Sequence, residues 1–410
     1  MSTRAMYGLA PAPRRFEADA GMQPAEAFRA AGPAPRPLPH VCFVAPTTWP
    51  VLAGDQVIPV VGGAELQQTV VAKALAARGY RVSMLCLDYG QPDGAVVDGV
   101  TVYKLHRPDE GLPVLRFIHP RLTRLWSAMK RVDADVYYQR CAAVYTGWVA
   151  AFCARHGKRS IYAGASDVDF IPGQQDIVYA RDRLIFEYGL KKVDRVMVQN
   201  PVQGRLLLEN FGRDSTLVPN CFTPPAGAAA DPKGCVLWVA SLRVQKRPEI
   251  LFEMARRMPQ YRFVMIGGAD PDPAGRELGR RVREEAATLP NLEYKGFLPF
   301  AEADRHFDHA RVLVNTSEYE GFPNTFLQAW SRGVPTVGFV DTGSRREGRP
   351  VYGIASDVDD ACRRVERLMS DDLHWHDASR RALAHFNEQH SVEAVVGQYE
   401  REIAQLCAAP

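Results

Sequence analysis

The stretch EYEGFPNTFLQAW, Glu318 to Trp330, places a carboxylate, Glu320, just before a Gly-Phe-Pro-Asn turn and a short helical run. A helix that starts from such a turn presents backbone N–H groups with no internal partner and the positive end of its dipole, which together favour an anion. Glu320 on the approach can accept hydrogen bonds from neutral hydroxyls beside that anion. A sugar joined to a diphosphate offers both chemistries. Earlier in the chain, WVASLRVQKRPEILFEMA runs from a strand into a loop carrying Arg243, Lys246 and Arg247, and Pro248 stands where it can open a helix. Cations at the carboxyl end of a strand would face the same anion.

Plainer readings stand beside these. Glu318 and Glu320 share a parity on an extended segment, so one can be an ordinary solvated residue at a strand end. Gln328 follows Thr325 by three positions, the T-x-x-Q spacing of a capping box. The basic loop can be a solvated turn. In VVGGAELQQTVVAKALAARG, Gly62 and Gly63 open a helix and offer further N–H groups, or form no more than a loop-to-helix turn. They are not a dinucleotide fingerprint, because G-x-G-x-x-G is absent. Asp167, after the strand RSIYAGA, is a candidate for binding an acceptor or taking its proton; helix capping and turn formation suit an Asp there equally.

The elements around these residues alternate. From residue 40 onward short β-rich runs (HVCFVAP, RVSMLCLD, TVYKLHR, DVYYQR, RSIYAGA, RVMVQN, STLVPN) are separated by amphipathic helical patterns, the signature of βαβ units on a parallel sheet. The Pro- and Gly-bearing segment 223–234 breaks the rhythm, and a second series follows: GCVLWVA, YRFVMIG, LEYKG, RVLVNTS and PTVGFV, with helical patterns filling most of 356–407. The expected architecture is α/β, two doubly wound Rossmann-like domains facing across a cleft. Its parts are a disordered leader over 1–39, an acceptor-side domain over 40–222, a linker over 223–234, a second domain over 235–390, and a final helix over 391–410 packing back on the first domain. In such sheets ligands sit beyond the carboxyl ends of the strands.

Composition agrees with a globular chain of two domains: 410 residues, 46% hydrophobic, 24% charged, with a formal charge of only +3 that disfavours a nucleic-acid partner. The eight cysteines show no C-x-x-C pair and no zinc-ligand spacing, and read as reduced thiols of a cytoplasmic protein. No apolar run reaches the roughly 18 to 20 residues a membrane-spanning helix needs. The segment 113–132 carries Arg116, Arg121, Arg124, Lys130 and Arg131 without an acid, and Leu122, Leu125, Trp126 and Met129 on one helical face. It fits either a peripheral contact with an anionic membrane or a packed helix with a solvated basic back.

The order WVASLRVQKRPEILFEMA, YRFVMIGG, NLEYKGFLP, SEYEGFPNTFLQAWSRGVPTV resembles the nucleotide-sugar half of the family 4 glycosyltransferases of GT-B fold. The resemblance spans roughly residues 40–400 and is tighter in the second domain. It implies a retaining, metal-independent transfer from a nucleotide diphosphate sugar to a glycan or lipid-linked acceptor, as in surface-glycan synthesis, with no cofactor beyond the sugar nucleotide. It places Lys246 on the donor diphosphate, where Arg243 substitutes for an Arg usually found at the position of Ser241. It sets Phe297 and Leu298 by the nucleobase, Gly63 by the donor phosphate, and Gly321, Phe322, Asn324 and Thr325 around the diphosphate. Glu320 takes the first acid of the family's E-x7-E pattern, near the donor sugar, and Gln328 the second, which normally grips the ribose. Gln328 can still bond a neutral ribose, without the charge-assisted bond. Ser166 stands where a His is common, and Gly343 and Ser344 match a phosphate loop only loosely. A nucleotide-sugar epimerase and a catalytically inactive sugar-nucleotide binder are the rival readings.

Overall fold

Mostly apolar runs such as HVCFV and ARVLVN, buried at every position, belong to strands covered on both faces. The computed structural model describes residues 37–54, 62–112, 115–231, 233–270 and 272–408. The expected leader therefore lies outside the described residues except for 37–39. The first series supplies β1 (His40–Val44), β2 (Arg81–Cys86), β3 (Ala95–Val97), β4 (Val100–Lys104), β5 (Val136–Arg140), β6 (Arg159–Ala163), β7 (Arg195–Val198) and β8 (Thr216–Leu217). They form one sheet in the order β3-β4-β2-β1-β5-β6-β7-β8, parallel except at the β3/β4 edge. Its helices are α1 (Trp49–Ala53), α2 (Gly63–Ala77), α3 (Thr123–Val132), α4 (Val144–His156), α5 (Ala180–Lys192) and α6 (Pro201–Phe211).

The second series forms β9 (Cys235–Val239), β10 (Phe263–Ile266), β11 (Leu292–Tyr294), β12 (Ala310–Asn315) and β13 (Thr336–Gly338). A small antiparallel hairpin of β14 (Arg345–Arg346) and β15 (Arg349–Pro350) precedes β16 (Gly353–Ile354). The six-stranded sheet runs β11-β10-β9-β12-β13-β16, all parallel. Around it lie α7 (Pro248–Arg257), α8 (Pro273–Ala287), α9 (Phe300–Arg305), α10 (Asn324–Trp330), α11 (Val358–Ser370) and α12 (Asp372–Gln389).

The chain then returns. Phe222 N donates to His390 O (3.1 Å) and His390 Nδ1 donates to Asn220 O (2.8 Å), so the outgoing and returning segments are tied side by side. Beyond this tie α13 (Val392–Ala408) buries Val395, Val396, Tyr399, Ile403 and Leu406 in the core that holds β1, β2 and β5.

The described part of the basic segment, 115–132, packs differently from a membrane-facing helix. Leu125 and Met129 of α3 are fully buried and Trp126 meets Phe152 edge-on at 5.1 Å, because α4 supplies an apolar partner for that face. The face expected to meet lipid is turned inward. What remains outside is Leu112, Leu115 and Ile118, ahead of α3. No helix among the described residues is long and apolar enough to cross a membrane.

Candidate functional site

A cleft of about 1630 Å³ opens where the carboxyl ends of both sheets meet, lined from β5, β6 and β7 on one side and from β9, β10, β11 and β12 on the other. Of the residues singled out in the sequence, Gly63, Arg243, Lys246, Phe297, Leu298, Glu320, Gly321, Phe322, Asn324, Thr325 and Gln328 all line it, as does Ser241. Asp167, Arg247, Gly343 and Ser344 are not among its lining.

The β9 loop carries the cations. Lys246 Nζ lies 2.6 Å from Glu320 Oε1, with both side chains mostly buried. The same oxygen accepts from Ser317 Oγ (2.6 Å) and Asn315 Nδ2 (3.3 Å). Glu320 is thus held in place by the end of β12, and Lys246 bridges the two segments that the sequence assigned to the anion and to the sugar. Arg243 is half-exposed and pairs with Asp270 at 3.1 Å. Arg247 differs from expectation. Its backbone is left-handed (φ 46°), and its guanidinium donates to Thr316 O (2.8 Å) and Ser317 O (3.2 Å), so it braces the end of β12 instead of facing the ligand.

The Gly321–Thr325 turn is also where the two domains touch. Asn200 Nδ2 donates to Gly321 O (2.8 Å), and a Cβ on Gly321 would stand 2.4 Å from the carbonyl oxygen of Ala165, so no side chain fits there. Asn324 Nδ2 donates to Gly63 O (2.9 Å), while its Oδ1 accepts from Gln67 Nε2 (3.0 Å) and Asn220 Nδ2 (3.1 Å). The amides of Asn324 and Thr325, in the first turn of α10, have no intrahelical partner and lie at the cleft wall. α10 starts at Asn324, the last residue of the Gly-Phe-Pro-Asn turn, and ends at Trp330; Gly333, at φ 75°, closes the turn beyond.

Gln328 does not form the capping box that T-x-x-Q suggests. The N-cap is Pro323, whose ring offers no acceptor, and Thr325 lies inside the helix, so the box cannot form and Gln328 turns to other partners. Its Nε2 donates to Asp304 Oδ1 (2.7 Å), and Asp304 Oδ2 accepts from the fully buried Arg332 (2.7 Å), which also reaches Asp308 (2.6 Å). Gln328 is therefore the neutral member of a buried ionic cluster and keeps an edge on the cleft.

In the first domain the capping role after β6 falls to Asp169, not Asp167. Asp169 accepts from Ala165 N (2.7 Å), Ser166 N (3.2 Å) and Tyr162 Oη (3.0 Å), closing a capping box with Ser166. Asp167 is left with Asn200 Nδ2 (3.2 Å), the same amide group that holds Gly321 O. Burial raises its pKa above the ordinary Asp value, opposed by hydrogen bonds from Asn200 and Gln203 and reinforced by the charge of Glu320. Asp167 thus backs the Gly321 turn. The helix start at Gly63 is already served by an acid: a Cβ on Gly62 would fall 1.9 Å from Glu65 Oε2, while Glu65 Oε1 takes the Thr47 hydroxyl (2.7 Å).

Sequence reasoning passed over several lining residues, including Arg140, Gln199 and Asn220. Each stands at or just after the carboxyl end of a strand, the one signal that could have found them. Gly267 and Gly268 were missed too: a Cβ on the first would meet Ala240 O at 1.9 Å, so β10 must end there without a side chain. Among the described residues no three or more His, Cys, Asp or Glu side chains gather as a metal ion would require.

Comparison with known proteins adds a family to this geometry. Residues 62–221 match the family described as "Glycosyl transferase 4-like domain", and residues 233–371 match "Glycosyl transferases group 1". A D-inositol 3-phosphate glycosyltransferase from Mycobacterium sp. (strain KMS) is 28% identical over 175 residues, a match spanning 40% of this chain and 38% of that protein's length. Among solved structures, sucrose-phosphate synthase from Thermosynechococcus elongatus superposes with a TM-score of 0.72 at 19% identity, covering 91% of this chain and 100% of that one. Anabaena HepE in complex with UDP and glucose gives 0.67 at 14% identity, covering 89% and 99%. At these identities the two structures speak to the fold.

Proposed function

Since the chain belongs to the family 4 glycosyltransferases of GT-B fold, we propose that it transfers a sugar from a nucleotide diphosphate sugar to an acceptor held against its first domain. The observation that carries this reading is the pairing of Lys246 with Glu320 at 2.6 Å beside the Gly321 turn. It puts a cation for a diphosphate and an acceptor for sugar hydroxyls at one point. Lys246, Arg243 and the first-turn amides of α10 stabilise the negative charge that grows on the diphosphate as the glycosidic bond breaks. With that charge met by the protein, transfer proceeds without a divalent metal, and the new linkage keeps the anomeric configuration of the donor. Phe297 and Leu298 hold the nucleobase, and Gln328 offers its carbonyl oxygen to the ribose. Asp167, which backs the Gly321 turn through Asn200, is the group offered for binding the acceptor or taking its proton.

The HepE structure contains UDP and glucose, and the mycobacterial relative is named for a sugar-alcohol phosphate. A uridine nucleotide sugar is accordingly the first donor to try. The acceptor is a surface glycan or its lipid-linked precursor, met at the cytoplasmic face of the membrane, with exposed Leu112, Leu115 and Ile118 beside Arg116 as the contact.

The deciding experiment is thermal stabilisation by a panel of nucleotide sugars, followed by release of nucleoside diphosphate with and without acceptor extracts. Glu320→Gln should lower transfer at least a hundredfold while changing nucleotide affinity less than threefold. Binding with no turnover by the unaltered chain would favour an inactive sugar-nucleotide binder, and release of an altered nucleotide sugar would favour an epimerase.

A further inference from the structure

Arg140 ends β5 and lines the cleft on the first-domain side, yet it is only 6% exposed. A guanidinium has five N–H donors. The geometry gives this one a short hydrogen bond from Nη2 to Asn220 Oδ1 at 2.8 Å, and leaves Nε buried without a partner. Among the described residues no carboxylate forms an ion pair with it; buried Asp169 feels its charge but is committed to Ala165 N, Ser166 N and Tyr162 Oη. Other buried arginines of the chain are matched differently: Arg332 meets Asp304 and Asp308, and Arg311 meets Asp372. A buried cation without a carboxylate in direct contact is costly to keep.

The backbone around it is set with equal care. Cys141, the next residue, is held at φ 75°, a conformation costly for any side chain but glycine. Gln139 Nε2 secures it by donating to Arg140 O (2.6 Å) and Cys141 O (2.9 Å), while Thr146 Oγ1 donates to Gln139 Oε1 (2.6 Å). Asn220, the partner of Arg140, in turn donates to Asn324 Oδ1 (3.1 Å) at the start of α10. The cation is fixed across the cleft from the donor turn and linked to it through one amide.

We infer that Arg140 is the subsite for a phosphate group on the acceptor, and that the enzyme glycosylates a phosphate-bearing acceptor. The inference rests on the proposed placing of the donor in the second domain and the acceptor in the first. A planar guanidinium suits a phosphate held through two oxygens, and a phosphate supplies the direct ion-pair partner that Arg140 lacks, Nε included.

The test saturates the full-length protein with the nucleoside diphosphate that stabilises it most, filling the donor's phosphate positions. Hexose and polyol monophosphates, each beside its unphosphorylated parent, and inorganic phosphate are then titrated calorimetrically. Monophosphates should bind the unaltered protein and their parents should not. Arg140→Met should weaken monophosphate binding at least tenfold and leave nucleoside diphosphate affinity within threefold. Arg140→Lys, which keeps the charge without the fork, should fall between them and decides the matter if the Met variant does not fold. The inference is overturned by equal monophosphate affinity in the variants, by absence of monophosphate binding to the unaltered protein, or by a parallel loss of nucleoside diphosphate affinity, which would assign Arg140 to the donor. Failure of every nucleoside diphosphate to bind would instead defeat the donor reading, and the same comparison on the unliganded protein would still decide Arg140.

Discussion

Exchanging Gln328 for Glu would restore the acid that the family pattern has at this position, and the structure argues that the fold would resist it. Gln328 Nε2 lies 2.7 Å from Asp304 Oδ1, and the Asp304 side chain is itself only 7% exposed. Replacing that amide nitrogen with a carboxylate oxygen sets two like charges against each other, a repulsion of about 6 kcal/mol at an effective dielectric of about 20. The protein can limit the loss by taking up a proton. Neutralising a carboxyl of ordinary pKa near 4.3 costs about 4 kcal/mol at pH 7 and about 1 kcal/mol at pH 5. The smaller cost governs, so Gln328→Glu should lower urea-unfolding stability by about 3 to 4 kcal/mol at pH 7 and by about 1 kcal/mol at pH 5. Because the new carboxyl titrates at a raised pH in the folded protein, the deficit must grow as pH rises.

Adding Asp304→Asn removes the opposing charge and provides an amide that can donate to the introduced carboxylate. Asp304→Asn alone strips buried Arg332 of one of its two carboxylates and should itself destabilise. The double variant should therefore be more stable than the summed single effects by about 2 to 4 kcal/mol. A Gln328→Glu protein as stable as the parent at both pH values, or a coupling below about 0.5 kcal/mol, would refute the assignment of Gln328 to the Asp304–Arg332 cluster.

Three further outcomes are expected. Lys246→Ala should weaken nucleoside diphosphate binding about tenfold or more by calorimetry, since it deletes a buried cation and leaves Glu320 facing the incoming phosphate. Gly321→Ala puts a Cβ 2.4 Å from Ala165 O, a backbone atom that cannot swing aside, and should lower the melting temperature and the nucleotide affinity together. Burial pushes His390 down to about 3 against about 6.5 in the unfolded chain, so its contribution is complete above pH 6.5 and is lost as pH falls towards 3. That loss reaches about 2.7 kcal/mol by pH 4.5, and His390→Asn, whose amide can still donate to Asn220 O, should flatten urea midpoints across that interval.

The sequence made the sheets legible because period and burial agree in them: strands covered on both faces leave uninterrupted apolar runs, and HVCFV or YRFVMIG can be little else. The two-residue strands β14 and β15 carry no such run, and β3 is an exposed edge of three residues; pairing partners define them, not composition. The same division governs the site. Lys246 and Glu320 could be named because each sits in a local pattern, a strand-to-loop cation and a turn-preceding acid. Whether an acid caps or catalyses could not be read: Asp167 and Asp169 are two residues apart, and only folding decides that Asp169 turns back to Ala165 N and Ser166 N. Arg140 was silent because a strand ending in Arg draws no notice until the acids around it are known to be elsewhere.

The cleft as it stands is charged but largely self-paired. Lys246 is neutralised by Glu320, Arg243 by Asp270, and the start of α2 by Glu65. A diphosphate entering the cleft must draw Lys246 from Glu320, and the carboxylate so released is then free for the hydroxyls of the sugar carried on that diphosphate. Phosphate alone would leave Glu320 unpaired in a mostly buried position, and sugar alone would leave the ion pair intact. The exchange is balanced only when both arrive on one molecule, which gives the Lys246–Glu320 pair a means of preferring nucleotide sugar over free nucleotide. Nucleoside diphosphate should therefore bind somewhat more tightly to Glu320→Gln than to the unaltered protein, whereas the nucleotide sugar should lose that advantage. Equal changes for the two ligands would mean that the ion pair takes no part in telling them apart.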